Sequence, residues 1–387
     1  MKALRIYAGP RAMAQLSQQG LHSVDVAAIA AAAGGPKGLI LGPLDRFVFG
    51  QWLAQSNQVV DLVGASIGAW RMATACLPEP VAALERLEHD YIQQNYALLP
   101  GEKRPSPARV SALFRDNLQA FYAGQVSQVL QHPRYRLHVL TSHGRGLLAR
   151  EQGWGTVMGY GGAFLSNLLS RRLLGAWLER VVFSSQMTGL GGHSAGLPFD
   201  SRDYPTRQVN LTGVNFHAAL QASCSIPFVL QGVHGIAGAP PGVYWDGGVT
   251  DYHLHLNWAS ESHNALQSVA ADACHTLPEE GKCSQASLVL YPHFQKSVVP
   301  GWLDKHLRWR HHASGFLDTM VLLAPDPHWV KTLPNGKLPD RTDFTHYGTD
   351  LAARVKAWRG AVSASQQLAD EFAAWLRRPD MAQVSAL

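Results

Sequence analysis

The chain has 387 residues, 46% of them hydrophobic and 16% charged, which excludes wholesale disorder and allows a sizeable core. Lysine and arginine number 33 against 28 acidic residues, a formal net charge of +5; this is too weakly basic to argue for nucleic acid and is compatible with an anionic membrane surface. Four cysteines (Cys76, Cys224, Cys274, Cys283) with no C-x-x-C pair argue against a disulfide framework or zinc ribbon and for a reducing compartment.

The length allows two or three ordinary domains or one large α/β enzyme domain. Arg5 and Pro10 interrupt the N-terminus where a signal peptide has its apolar stretch. No uninterrupted run of about 18 apolar residues appears, so the expected location is cytoplasmic. Val24–Ala33, apolar except for Asp25 and closed by Gly34-Gly35, reads as a buried strand. Leu39–Gln55 reads as a helix, with Leu41, Leu44, Phe47, Val48 and Trp52 near a 3.6-residue period. Val59–Val63 is a second strand leading into Gly64. Ile67–Leu77 is a buried helix stopped by Pro78 and Pro80. Val81–Leu99 is an amphipathic helix, and Ser106-Pro107 is a cap and first-turn proline for a helix reaching Tyr122.

Arg136–Thr141 is a strand, Gly153–Gly162 a glycine-rich loop, and Ala163–Trp177 an apolar helix carrying Arg171 and Arg172. Val181–Ser185 and Val209–Thr212 are strands, Phe216–Ser223 a helix, and Val243–Asp246 a short strand entering Gly247-Gly248. Thr276–Ser284 reads as an exposed loop. Ser287–Tyr291 and Met320–Ala324 are late strands, and Leu351–Leu376 is a closing helix. Strands alternating with helices predict a mostly parallel sheet covered by helices.

Three local patterns carry chemistry. Gly64-Ala65-Ser66-Ile67-Gly68 fits G-x-S-x-G between a strand and a helix, where a serine on a sharp turn becomes an exposed nucleophile at a helix N-terminus. Gly64 and Gly68 relieve the crowding of that turn. Gly34-Gly35-Pro36-Lys37-Gly38 also joins a strand to a helix. It can offer backbone N–H donors to an oxyanion from Gly34, Gly35, Lys37 or Gly38, but not from Pro36. It is no phosphate-binding P-loop, because Lys37 is followed by glycine. Asp246-Gly247-Gly248 places a carboxylate at a strand end, although Asp-Gly is also an ordinary turn.

Taken in this order, the three patterns resemble the patatin-like phospholipase family, with Ala222-Ser223-Cys224-Ser225-Ile226-Pro227 as a fourth match to its A-S-x-x-I-P stretch. The resemblance spans about Val24–Tyr252. Two departures stand out: Ala33 precedes Gly34 where the loop usually has another glycine, and Pro36 stiffens the loop. The resemblance implies a three-layer α/β/α fold with a central, mostly parallel sheet. It implies one catalytic domain over 1–387, its motifs within about 24–257 and the remainder packed on the same domain. It also implies a lipid acyl hydrolase of phospholipase A or esterase type, with Ser66 as nucleophile, Asp246 as general base and a glycine-rich oxyanion hole, and with no cofactor or metal. The expected partner is a lipid or phospholipid substrate, with peripheral membrane contact and no nucleic acid.

Alternatives stay open. His253, His255 and His293 follow Asp246 in the order of a Ser–Asp–His triad. His253-x-His255 and His311-His312 could hold a metal only with a third ligand that the spacing does not supply. A lipid acyltransferase, or a non-catalytic lipid- or partner-binding protein, could use the same fold. Ala163–Glu179, with Phe164, Leu165, Leu168, Leu169, Leu173, Leu174 and Trp177 around Arg171 and Arg172, reads either as a helix covering the sheet or as one lying on lipid with the arginines at the head groups. Trp302–His312 presents the same choice.

Overall fold

Runs of alanine and branched residues set the centre of the molecule. The computed structural model describes residues 1–96, 101–102, 105–151, 153–185, 196–259 and 287–387. Its strands are β1 (Leu4–Ala8), β2 (Val26–Ala31), β3 (Val60–Ala65), β4 (Tyr135–Gly144), β5 (Leu178–Ser185), β6 (Thr206–Leu211), β7 (Val233–His234), β8 (Val243–Asp246), β9 (Leu288–Pro292), β10 (Met320–Pro325) and β11 (Val384–Ala386). They form one sheet in the order β11-β1-β10-β9-β2-β3-β4-β5-β6, with β8 laid antiparallel on β4 and β7 on β8. The run from β10 through β9, β2 and β3 to β4 is parallel throughout. Every residue of β2, β3 and β9 is buried, as parallel strands covered on both faces require. The fold is therefore α/β, a mostly parallel sheet flanked by helices.

The helices that matter here are α1 (Pro10–Gln19), α2 (Gly42–Phe47), α3 (Ile67–Ala75), α4 (Pro80–Gln93), α5 (Pro107–Phe121), α6 (Val126–Leu130), α7 (Gly153–Leu169), α8 (Arg171–Leu174), α9 (Phe216–Cys224) and α10 (Gly248–Asp251). α5 starts where its cap predicts: the Ser106 side chain accepts from the Arg109 N–H at 3.4 Å. α4 ends at Gln93, short of Leu99. The stretch Leu39–Gln55 is helical but broken into a 3-10 turn over Gly35–Leu41, α2, a π segment over Val48–Trp52 and a last 3-10 turn. Pro43 starts a new segment because it lacks an N–H. The 27-residue helix Leu351–Arg377 lies across these pieces, with Phe372 edge-on to Phe47 and Trp52.

One expectation fails outright. Gly153–Gly162 is no loop; it is the first part of α7. Each glycine inside a helix costs about 1 kcal/mol against alanine. Two of them serve packing instead: a Cβ on Gly159 would lie 2.6 Å from Leu148, and one on Gly162 would lie 2.6 Å from the Trp177 ring. The helix expected over Ala163–Trp177 breaks at Ser170, whose hydroxyl caps α8 by accepting from the Arg172 N–H. The Thr276–Ser284 loop, with Cys274 and Cys283, lies outside the described residues.

Candidate active site

The site gathers at the carboxyl ends of β2 and β3 and at the end of β8, the side of an open α/β sheet where ligands bind. β3 runs straight into Ser66, which caps α3 with φ 57° and ψ −128°. A non-glycine residue in that region stores roughly 1–3 kcal/mol of strain and persists only where its surroundings enforce it. Three contacts do so here. A Cβ on Gly68 would fall 2.0 Å from the Ala31 carbonyl oxygen, and one on Gly64 would fall 2.5 Å from Ala69, so only glycine allows β2, β3 and α3 to approach this closely. The Ser66 N–H donates to Ser223 Oγ at 2.9 Å, and that hydroxyl donates to the Leu140 carbonyl at 2.7 Å.

Ser66 Oγ donates to Asp246 Oδ2 at 2.6 Å, and Asp246 Oδ1 accepts from the Gly248 N–H at 2.7 Å. Both side chains are buried, with Ser66 4% and Asp246 5% exposed. The Asp246 main chain is pinned as well: its N–H donates to the Ser225 carbonyl, and its carbonyl accepts from Ser142 Oγ. The Gly247 N–H donates to the Ser223 carbonyl. The end of α9 therefore clamps the serine turn to the aspartate turn. Burial pushes the Asp246 carboxyl above the usual carboxylate range, against the opposing pull of the Ser66 and Gly248 hydrogen bonds and of the Arg341 and Lys305 charges.

The glycine loop lies alongside. A Cβ on Gly38 would touch Ile67, and one on Gly248 would meet Ala33, so the loop borders both motifs. Gly35 sits at φ +56°, a conformation that favours glycine. Gly34 and Gly35 head the 3-10 turn, where N–H groups have no intrahelical partner. Among the described residues no main-chain carbonyl accepts from either. Lys37 and Gly38 lie inside the turn, and the Lys37 side chain extends over the Phe294 ring. The first N–H of α3, at Ile67, is a further donor on the Ser66 turn, with no main-chain acceptor among the described residues. Nothing in the sequence singled out Ile67 beyond its place after Ser66, or Ser223 beyond its place in the fourth motif. The main chain around Asp45 and α3 is locked from behind: Arg71 makes two hydrogen bonds to Asp45, at 2.6 and 2.7 Å, both residues buried.

Positive charge rings the site. Lys305 lies 4.1 Å over the Tyr252 ring, and the Arg341 guanidinium borders Gly35. Among the described residues, Lys37, Lys305 and Arg341 have no carboxylate at ion-pair distance. Burial, reinforced by Arg341 and Lys37, pushes the Lys305 ammonium down to about 8.

The histidines go elsewhere. None among the described residues hydrogen-bonds to Ser66 or Asp246. His253 and His293 pack ring against ring 4.4 Å apart, and burial drives both towards the neutral form. His311 is engaged with the Asp304 carbonyl at 2.7 Å, and His255 lies 3.4 Å from Ser314 Oγ. Among the described residues no three metal-ligating side chains cluster.

No protein-family model matches the chain, and no curated protein matches it.

Proposed function

We propose that this chain is a patatin-like serine lipid acyl hydrolase, cleaving the carboxylic ester of a phospholipid or related lipid. The observation that carries the reading is the 2.6 Å hydrogen bond from Ser66 Oγ to Asp246 Oδ2 on a strained strand-to-helix turn. Backbone strain and a buried carboxylate raised by desolvation concentrate at functional sites.

In the proposed reaction Asp246 Oδ2 takes the hydroxyl proton as Ser66 Oγ bonds to the ester carbonyl carbon. A carboxylate of ordinary pKa is a weak base for this task, and burial brings Asp246 closer to it. The N–H groups of Gly34, Gly35 and Ile67 are candidates to hold the tetrahedral oxyanion. Each such donor is worth about 10²–10³ in turnover. Collapse releases the alcohol with the proton returned from Asp246 and leaves the acyl group on Ser66. Water deprotonated by Asp246 then frees the fatty acid.

The test is labelling by a fluorophosphonate probe, with fatty acid release from phospholipid measured in parallel. Wild type labels and Ser66→Ala does not. Labelling that survives in Ser66→Ala sinks the assignment. Lysolipid or alcohol acceptors in the same assay separate hydrolysis from acyl transfer.

Lys37, Lys305 and Arg341, with no carboxylate at ion-pair distance among the described residues, favour an ester bearing an anionic group. Lys305 holds its charge below about pH 8 and loses it above. Turnover of an anionic ester is therefore expected to fall above about pH 8 while that of a neutral ester does not. Lys305→Arg, charged throughout, is expected to abolish that alkaline fall. Equal profiles for both esters would remove Lys305 from substrate recognition.

A further inference from the structure

α7 is built inside out. Its polar side chains Thr156, Tyr160 and Asn167 face the protein. Its outer face carries Trp154, Val157, Met158, Leu165, Leu168 and Leu169, which follow one another at helical spacing. Trp154 is 83% exposed, Leu169 81%, Met158 66% and Leu165 63%. The 17 residues include no charged side chain. A surface helix ordinarily shows the reverse pattern, and a continuous exposed apolar stripe marks an interaction surface. No helix among the described residues is long and apolar enough to cross a membrane, so α7 is not a spanning segment.

The charges around the stripe identify the occupant. At its C-terminal end Arg172, Arg308 and Trp309 are exposed, and Arg310 donates to the Leu168 carbonyl. The carboxylate there is not available: Asp304 is fully buried and held by Asn167 and Arg310; at the other end the exposed Glu151 accepts from the Gly232 N–H. Arg171, which the lipid-lying alternative places at the head groups, turns inward to the Thr250 carbonyl and to Asp251 and Asp304. An apolar stripe rimmed by exposed arginines complements an anionic lipid surface.

The stripe also leads to the candidate active site. On the inner face of α7, Tyr160 meets Trp245, the residue before Asp246, edge-on at 6.4 Å, and Phe228, itself exposed, at 5.6 Å. The segment that ends in Trp309 also carries Lys305. We propose that the outer face of α7, with Trp309, Arg172 and Arg308, docks this protein on the surface of an anionic bilayer and brings the ester to Ser66. This rests on the hydrolase reading for the purpose of the contact, but the binding itself needs no turnover.

The experiment is co-sedimentation with vesicles of phosphatidylglycerol and phosphatidylcholine, and of phosphatidylcholine alone. Wild type and Ser66→Ala are expected to bind the anionic vesicles equally. Leu165→Glu/Leu169→Glu is expected to bind roughly tenfold more weakly or worse, with turnover of a soluble ester unchanged. Arg172→Gln and Arg308→Gln each weaken binding about fivefold, on anionic vesicles only. Hydrogen exchange over 153–169 in wild type, slowed by anionic vesicles, tests the face without any variant. Binding by a wild type that releases no fatty acid supports docking while refuting the hydrolase reading. No binding by wild type, binding that Leu165→Glu/Leu169→Glu leaves intact, or an oligomer in light scattering that this variant dissolves overturns the proposal.

Discussion

Asp246→Asn is expected to lower ester turnover by about 10²–10⁴-fold, the range for loss of a general base, while making the protein more stable at neutral pH. The two effects have one cause. Burial holds the Asp246 carboxyl above its ordinary value despite the Ser66 and Gly248 hydrogen bonds. A folded pKa above the unfolded one means that folding favours the protonated form. That stabilisation is complete below the unfolded value of about 3.9 and is lost as pH rises through the folded value. Above the unfolded value the buried carboxyl therefore opposes folding. Asparagine can accept from the Gly248 N–H and donate to Ser66 Oγ without burying a charge. Thermal melts of wild type and Asp246→Asn should differ at neutral pH and converge in acid. The acid limb of the wild-type pH–rate profile should lie above the usual carboxylate range. Full activity in Asp246→Asn would dismiss the dyad, and a variant less stable than wild type at neutral pH would dismiss the electrostatic account of it.

Asp251→Asn should have the opposite signature: on the order of 3–5 kcal/mol of stability lost, the range for breaking a buried ion pair by removing one partner. Asp251 closes α10, a few residues beyond Asp246, and is fully buried. Its carboxylate accepts from Arg180 at 2.6 and 2.8 Å and from Arg171 at 3.2 Å. The substitution leaves the Arg180 guanidinium buried with Asp203 as its remaining acidic partner at 3.4 Å. Burial pushes the Asp251 carboxyl up, but the pull of Arg180 and Arg171 outweighs it and the value ends below the ordinary one. Its contribution is therefore present above the unfolded value of about 3.9 and is lost as pH falls through the lower folded value. Urea unfolding across acid to neutral pH should show a steep acid loss in wild type and a flatter one in Asp251→Asn. A variant within about 1 kcal/mol of wild type, the scale of an exposed ion pair, would show that the network adds little. Because Arg171 also reaches Asp304, the network ties the Asp246 turn to the segment carrying Lys305.

Local physics explains which features were legible beforehand. The burial of β2 and β3, the serine turn, the cap of α5 and the strand Val243–Asp246 each depend on a few adjacent residues: an apolar run, a glycine pair, a serine before a proline. β1 also carries its signal, since Leu4, Ile6 and Ala8 alternate with Arg5 and Tyr7, although only pairing with β10 makes it a strand. β11, three residues long, is defined wholly by its register against β1. The glycines of α7 look like a loop because glycine disfavours helix; Leu148 and Trp177, which need that space, are distant or only obliquely related in sequence.

By itself, then, the sequence determined the serine, the aspartate and the glycine turns, together with the alternation that makes an α/β sheet, because those depend on backbone freedom and side-chain chemistry within a few residues. Tertiary contacts alone set that Ser66 Oγ donates to Asp246 across 2.6 Å, that Ser223 clamps them and that Lys305 and Arg341 lie near them. They also decided that Arg171 faces inward while Arg172 does not. These follow from where separate elements cross, and the energy of a buried charge or hydrogen bond depends on every group folded around it.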